Sequence, residues 1–180
     1  MKRQVALSAI GQDRPGIVAG LTRALFEQGC NLEESSMTRL KGEFAILLLV
    51  TLPDSVEPAS LEKALAPTAR ALGLTTILRE LTPEEIRGED DSQTQPYTLV
   101  VYGADRPGIV FHVTDAAARH GLNITDLRTR VTGTVPVYSL IMELEVPNEL
   151  VAQAFRDDLA ALKGTLKVET TFEAVEADEL

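Results

Sequence analysis

Tryptophan is absent from this 180-residue chain, aromatic residues make up only 4% of it, and it holds one cysteine and two histidines. So few aromatics make a platform for stacking nucleic-acid bases improbable. The lone Cys30 excludes a disulfide framework and any cysteine-built zinc site. His112 and His120 lack a His-x-x-x-His spacing, which argues against a histidine-built metal site. No Ser/His/Asp set, phosphate loop or metal-ligand spacing occurs, so neither catalysis nor a cofactor is expected. No stretch reaches the ~18 apolar residues of a membrane span, and the early run Val5 to Ile10 is too short for a signal peptide's apolar core. A cytoplasmic protein with reduced Cys30 and no membrane partner is expected. A basic excess is missing too. The chain has 17 Lys+Arg against 27 Asp+Glu, a net charge of −10. Direct nucleic-acid binding needs a basic face and is not expected.

What is present is 44% hydrophobic content, enough for packed domains. The charge is unevenly placed. Residues 1–82 hold nine bases and nine acids, and residues 96–168 hold seven and eight. Residues 83–95 hold five acids against Arg87, and residues 169–180 hold five acids and no base. Nine of the ten net negative charges therefore sit in one short segment and the end of the chain. The segment 83–95 lacks apolar periodicity and reads as an acidic linker, with a solvated acidic tail over 173–180. The expected domains are 1–82 and 96–172.

These domains are copies. Gly11-Gln-Asp-Arg-Pro-Gly-Ile-Val18 recurs 92 residues later as Gly103-Ala-Asp-Arg-Pro-Gly-Ile-Val110, and eleven of twenty-one positions over 11–31 match those over 103–123. Each copy has the same pattern of elements. Strands are expected at Val5–Ile10 and Tyr97–Tyr102. Helices follow, with Pro15 and Pro107 near the first turn and Gly29 and Gly121 as stops. Second strands fall near Leu32–Arg39 and Ile124–Val131, and third strands at Glu43–Thr51 and Val137–Val146. Second helices span Pro58–Leu72, kinked or split at Pro67, and Asn148–Leu162. Last strands lie at Leu74–Leu81 and Thr165–Thr171. Strand–helix–strand–strand–helix–strand, twice, is an α+β chain of two ferredoxin-like units, each an antiparallel sheet with helices on one face. The run Phe44 to Val50 does not alternate, so both faces of that strand are expected to be buried, the second by another unit, subunit or partner. Phe26 and Phe111 project from the outer sides of their helices. They either fold over the helix ends or form an oligomer or partner surface.

The repeated loop carries the chemistry. A helix start offers unpaired N–H groups and a positive dipole end, which suit a carboxylate. Gly16 and Gly108 lack a Cβ and allow close approach to the backbone. Asp13 and Asp105 can accept from an ammonium or can serve as helix N-caps. Asn31 and Asn123 begin the next strand and offer donor and acceptor, or only serve the bend after the helix. A carboxylate site, an ammonium acceptor and an amide at close quarters describe a free α-amino acid. Cys30 reads as a buried structural thiol, Arg14 and Arg106 as surface arginines, and the two histidines as surface or capping residues without counterparts in the first copy.

The strand, the Asp-Arg-Pro-Gly-Ile-Val loop, the helix and the Gly-x-Asn start of the next strand resemble the ACT domain, over residues 3–82 and 96–172. The resemblance implies a small regulatory module that binds amino acids and has no catalytic role. It maps ligand contacts onto Asp13, Gly16, Ile17 and Asn31, and onto Asp105, Gly108, Ile109 and Asn123. It implies ligands held between paired domains, hence a homo-oligomer, and a small amino acid such as glycine or serine. It also implies a protein partner, either a transcription regulator or an enzyme of amino-acid metabolism. The acidic charge favours action on transcription through a protein, not on DNA.

Overall fold

A computed structural model describes residues 3–87, 94–134 and 136–175. The chain divides into two compact units, residues 1–90 and 91–180. The first contains β1 (Arg3–Gln12), α1 (Ile17–Glu27), β2 (Asn31–Leu40), β3 (Glu43–Leu52), α2 (Pro58–Leu72), β4 (Leu74–Glu80) and a short α3 (Pro83–Arg87). The second contains β5 (Gln95–Ala104), α4 (Ile109–Arg119), β6 (Asn123–Thr132), β7 (Val137–Val146), α5 (Glu149–Leu166) and β8 (Val168–Ala174). The strand orders are β2-β3-β1-β4 and β6-β7-β5-β8, with every pairing antiparallel. This is the expected ferredoxin-like architecture, formed twice.

Side-chain periodicity explains each layer. In β1 and β3, alternate residues Val5, Leu7, Ala9, Phe44, Ile46, Leu48 and Val50 are buried and face the helices. Ile17, Leu21, Ala24 and Leu25 form the buried stripe of α1, and Leu61, Leu65 and Ala69 that of α2. In the second unit, Leu140, Met142, Leu144 and Val146 of β7 meet Phe155 and Leu159 of α5 in one core. Burying each such side chain contributes about 1.5–3 kcal/mol.

The first glycine of each repeated motif has a packing cause. A Cβ at Gly11 would stand 2.6 Å from the Gly73 carbonyl oxygen, and one at Gly103 2.9 Å from that of Lys167. The first strand passes directly beneath the turn that joins the second helix to the last strand. Only a residue without Cβ fits there.

Three expectations are corrected. The segment read as a linker is partly helical, because Thr82 and Glu85 form a reciprocal capping box. Glu85 N–H donates to Thr82 Oγ1 at 3.2 Å, and Thr82 N–H donates to Glu85 Oε2 at 2.8 Å. Pro67 neither splits nor ends α2, which continues to Leu72. The proline lies on the exposed side, where water can satisfy the carbonyl it leaves unpaired. Helix α5 runs through Gly164 to Leu166, and the left-handed residue that ends it is Lys167 at φ 54°, where the first unit has Gly73 at φ 66°. On β3, Phe44, Ile46, Leu48 and Val50 are buried against the helices of their own unit, and the cover expected for the other face lies outside a single unit. Leu47 on that other face is 51% exposed. Residues 88–93 of the expected linker and 176–180 of the expected tail lie outside the described residues.

Candidate functional site

Each motif loop leaves the end of the first strand and enters the first helix of its unit. The helix-capping position is Gly16 in one and Gly108 in the other, at φ 93° and 96°. Neither helix has a side-chain cap, and neither has an acidic residue in its first turn. The cap carbonyls accept the first helical bonds, from Gly20 N–H at 2.8 Å and from His112 N–H at 2.9 Å. The N–H groups of the first turn are thus left for solvent or a ligand. Asp13 and Asp105 lie three residues before the caps and are not N-caps. Ile17 and Ile109 are 2% and 1% exposed. Their side chains belong to the cores, so only their backbones can face a ligand.

The two loops are held differently. The Asp13 N–H donates to the Gly42 carbonyl at 2.8 Å, and its carboxylate accepts from Arg39 at 3.1 Å. Arg14 reaches the Ala71 carbonyl near the end of α2 at 2.7 Å, which ties the loop to that helix. In the second unit Val131 stands where Arg39 would be, as the pairings Arg39↔Phe44 and Val131↔Tyr138 show. Asp105 has no ion pair among the described residues and is exposed. It does lie near enough to Tyr138 to matter. Burial pushes the Tyr138 hydroxyl up, and the Asp105 charge adds to that. His112 leans on this loop, with its Cδ2 3.4 Å from where a Gly108 Cβ would be; Gly16 has nothing within 4 Å. The sequence held no signal for Arg39 or Tyr138. Both act through register, and neither is repeated in the other copy.

The asparagines are where the site departs from expectation. Asn31 opens β2, an edge strand separated from β1 by β3. It pairs with Thr51, whereas Asp13 sits beside Gly42 at the opposite end of β3. Thr51 lies eight steps beyond Glu43 along β3, a distance of roughly 26 Å in an extended strand. Asn123 opposite Glu145 stands in the same relation to its own loop. Within one unit, then, the loop and the asparagine are not at close quarters. The cause is topological: the helix carries the chain back along the sheet before the next strand begins. Each amide donates to a carboxylate, Asn31 to Glu33 at 2.9 Å and Asn123 to Glu145 at 2.8 Å.

Other readings fare variously. Cys30 is half-buried and packs against the first core, and burial pushes its thiol up. His120 is the capping residue at the end of α4 and contacts Asp158 at 3.1 Å. Phe26 and Phe111 are 79% and 64% exposed, so neither folds over its helix end. Two shallow grooves of about 300 and 420 Å³ lie on the open face of the first sheet, and the second reaches Ile10 and Thr38 near the loop. No group of His, Cys, Asp and Glu among the described residues could hold a metal ion, and no helix among them is long and apolar enough to cross a membrane.

Comparison with known proteins gives a consistent answer. A model of the ACT domain matches residues 3–78 and 98–173. A UPF0237 protein of Methanocaldococcus jannaschii is 38% identical over 77 residues, 42% of this chain and 86% of that one. The glycine cleavage system transcriptional repressor of Escherichia coli is 30% identical over 127 residues, 70% of this chain and 64% of that one. Among solved structures, a protein of unknown function from Galdieria sulphuraria superposes with a TM-score of 0.83 at 26% identity, covering 98% of this chain and 100% of its own. A second structure, provisionally assigned to a glycine cleavage system transcriptional repressor, has a TM-score of 0.67 at 20% identity over 98% and 99%, and speaks for the fold alone.

Proposed function

We propose, from the premise that the chain belongs to the ACT domain family in two tandem copies, that it is a non-enzymatic regulator that binds a small amino acid such as glycine or serine. It passes that state on by contact with a transcription regulator. The observation that carries this reading is the duplicated loop, in which both helices start at a left-handed glycine with no side-chain cap. A carboxylate suits those N–H groups and the helix dipole. Asp13 and Asp105 are the acceptors for the ammonium, beside Gly16 and Gly108 and the backbones of Ile17 and Ile109. Asn31 and Asn123 supply the amides.

Because loop and asparagine lie at opposite ends of a sheet, a ligand that uses both draws them from two ACT copies. Binding then depends on pairing of copies, and pairing on the ligand. A ligand that prefers the paired arrangement 100-fold shifts that equilibrium by about 2.7 kcal/mol. Similarity to the glycine cleavage repressor supports a transcriptional output. The net charge of −10 supports a protein contact in place of direct DNA binding. A thermal-shift screen of the full chain against the twenty amino acids tests the sensing. A rise in melting temperature with glycine, serine or another small amino acid is expected; no shift with any of them contradicts it. Capture of partners from the native host should return a transcription regulator, and recovery of a metabolic enzyme in its place would contradict the output.

A further inference from the structure

The outward face of the first sheet is unlike that of the second. In the first, β1 and β3 present Ala6, Ser8, Ile10, Ala45, Leu47 and Leu49, while Val5, Leu7 and Ala9 point to the helices. The matching inner strands of the second present Thr98, Val100, Tyr102, Ser139, Ile141 and Glu143, and its edge strands carry Asp126, Arg128, Arg130, Glu169 and Glu173. The second face is thus apolar at its centre, with Ile141 and Tyr102 43% and 48% exposed, but lines its edges with five charged residues where the first has Glu34 and Arg79. The first face is open: Ile10, Leu47 and Ile77 are 52%, 51% and 65% exposed. Apolar patches of this kind mark interaction sites.

The rows across this face identify the occupant. Register gives one row of Glu34, Leu49, Ala6 and Arg79, from edge to edge. The next row is Ser36, Leu47, Ser8 and Ile77, and the third is Thr38, Ala45, Ile10 and Thr75. In each row a large residue on one inner strand faces a small one on the other. A twofold axis parallel to the strands, through the middle of the face, reverses each row onto itself. Leu49 then meets a partner Ala6, Leu47 a partner Ser8, and Ile10 a partner Ala45. At the edges, Glu34 meets a partner Arg79, twice. Large-on-small packing is what sheets about 10 Å apart require, and a twofold interface must be complementary to itself. The second sheet fails this condition, since Asp126 and Glu173 occupy the positions of Glu34 and Arg79.

We infer that the open face of the first sheet docks on the same face of a second copy of this chain, about a twofold axis parallel to the strands. Amino-acid binding plays no part in this inference. Arg79 bonds Glu85 at 2.7 Å, which sets its guanidinium at the edge of the face. The test is the mass of the full chain by sedimentation equilibrium across the micromolar range. Dimer is expected for the wild type and monomer for Leu47→Glu, a change at a half-exposed side chain that the fold should bear. Glu34→Arg and Arg79→Glu should each weaken the dimer at least tenfold, and the two together should restore most of it. A wild-type monomer, a dimer indifferent to Leu47→Glu, or a double reversal no tighter than the single ones would each overturn the inference.

Discussion

Replacing Gly16 and Gly108 with alanine isolates what the loop requires of its backbone. Both residues hold a positive φ, 93° and 96°. At Gly16 a new Cβ would meet nothing within 4 Å, and at Gly108 its nearest neighbour would be His112 Cδ2 at 3.4 Å. Steric overlap is therefore not the cost. An L-residue in the left-handed region costs about 1–2 kcal/mol. A narrower unfolded ensemble offsets about 0.4–1 kcal/mol of this. At the middle of both ranges the net loss is about 0.8 kcal/mol per site, and each 1 kcal/mol lowers the midpoint of a domain this size by roughly 4–8 °C. Urea unfolding of the single variants measures it, with Gly16→Asn as the control, because asparagine tolerates this region better than alanine. The expected order of stability is glycine, asparagine, alanine. An alanine variant as stable as the wild type, or an asparagine variant no better than alanine, would show that the turn does not demand this conformation.

The second unit offers the reverse experiment, since Lys167 occupies at φ 54° the position of Gly73. Lys167→Gly should stabilise it, by about 0.5–1 kcal/mol in urea unfolding. Phe155→Ala removes the fully buried ring that joins α5 to β8, and a loss of about 3–5 kcal/mol in calorimetry is expected. Hydrogen bonds from Arg156 and Tyr97 hold the Glu149 carboxyl below the usual glutamate range. A depressed folded pKa stabilises above the ordinary value of about 4.3 and is lost as pH falls through the folded one. The stability gap between wild type and Glu149→Gln should therefore close below about pH 4 in acid titration of the melting temperature. Because burial raises the Cys30 thiol, iodoacetamide should alkylate it more slowly at pH 8 in the native chain than in urea, as mass spectrometry would follow.

The fold was legible because the repeat was. A shared Asp-Arg-Pro-Gly-Ile-Val loop, the same stops at Gly29 and Gly121 and the same order of strands and helices fix two copies of one plait. Local exceptions were less visible. Helix α5 is expected to end at Leu162, yet it runs on through Gly164 to Leu166, and the left-handed residue falls at Lys167, beside Gly103. The Thr82–Glu85 box was readable but lay inside a run of acids. The site was half legible. Residue types and motif pointed to the loop, but which end of the sheet holds Asn31 depends on the path of the chain. Arg39, Tyr138 and Glu145 entered only through strand register, which no local pattern reveals.

The sharing of an amino acid between loop and strand start is tested most directly by calorimetric titration. Wild type and an Asn31→Ala/Asn123→Ala variant would each be titrated with the amino acid that most raises the melting temperature. Saturable binding to the wild type, and loss of that binding in a variant with an unchanged fold, is the expected result. Equal binding by both would contradict the assignment of the asparagines and, with it, the ligand bridge between ACT copies.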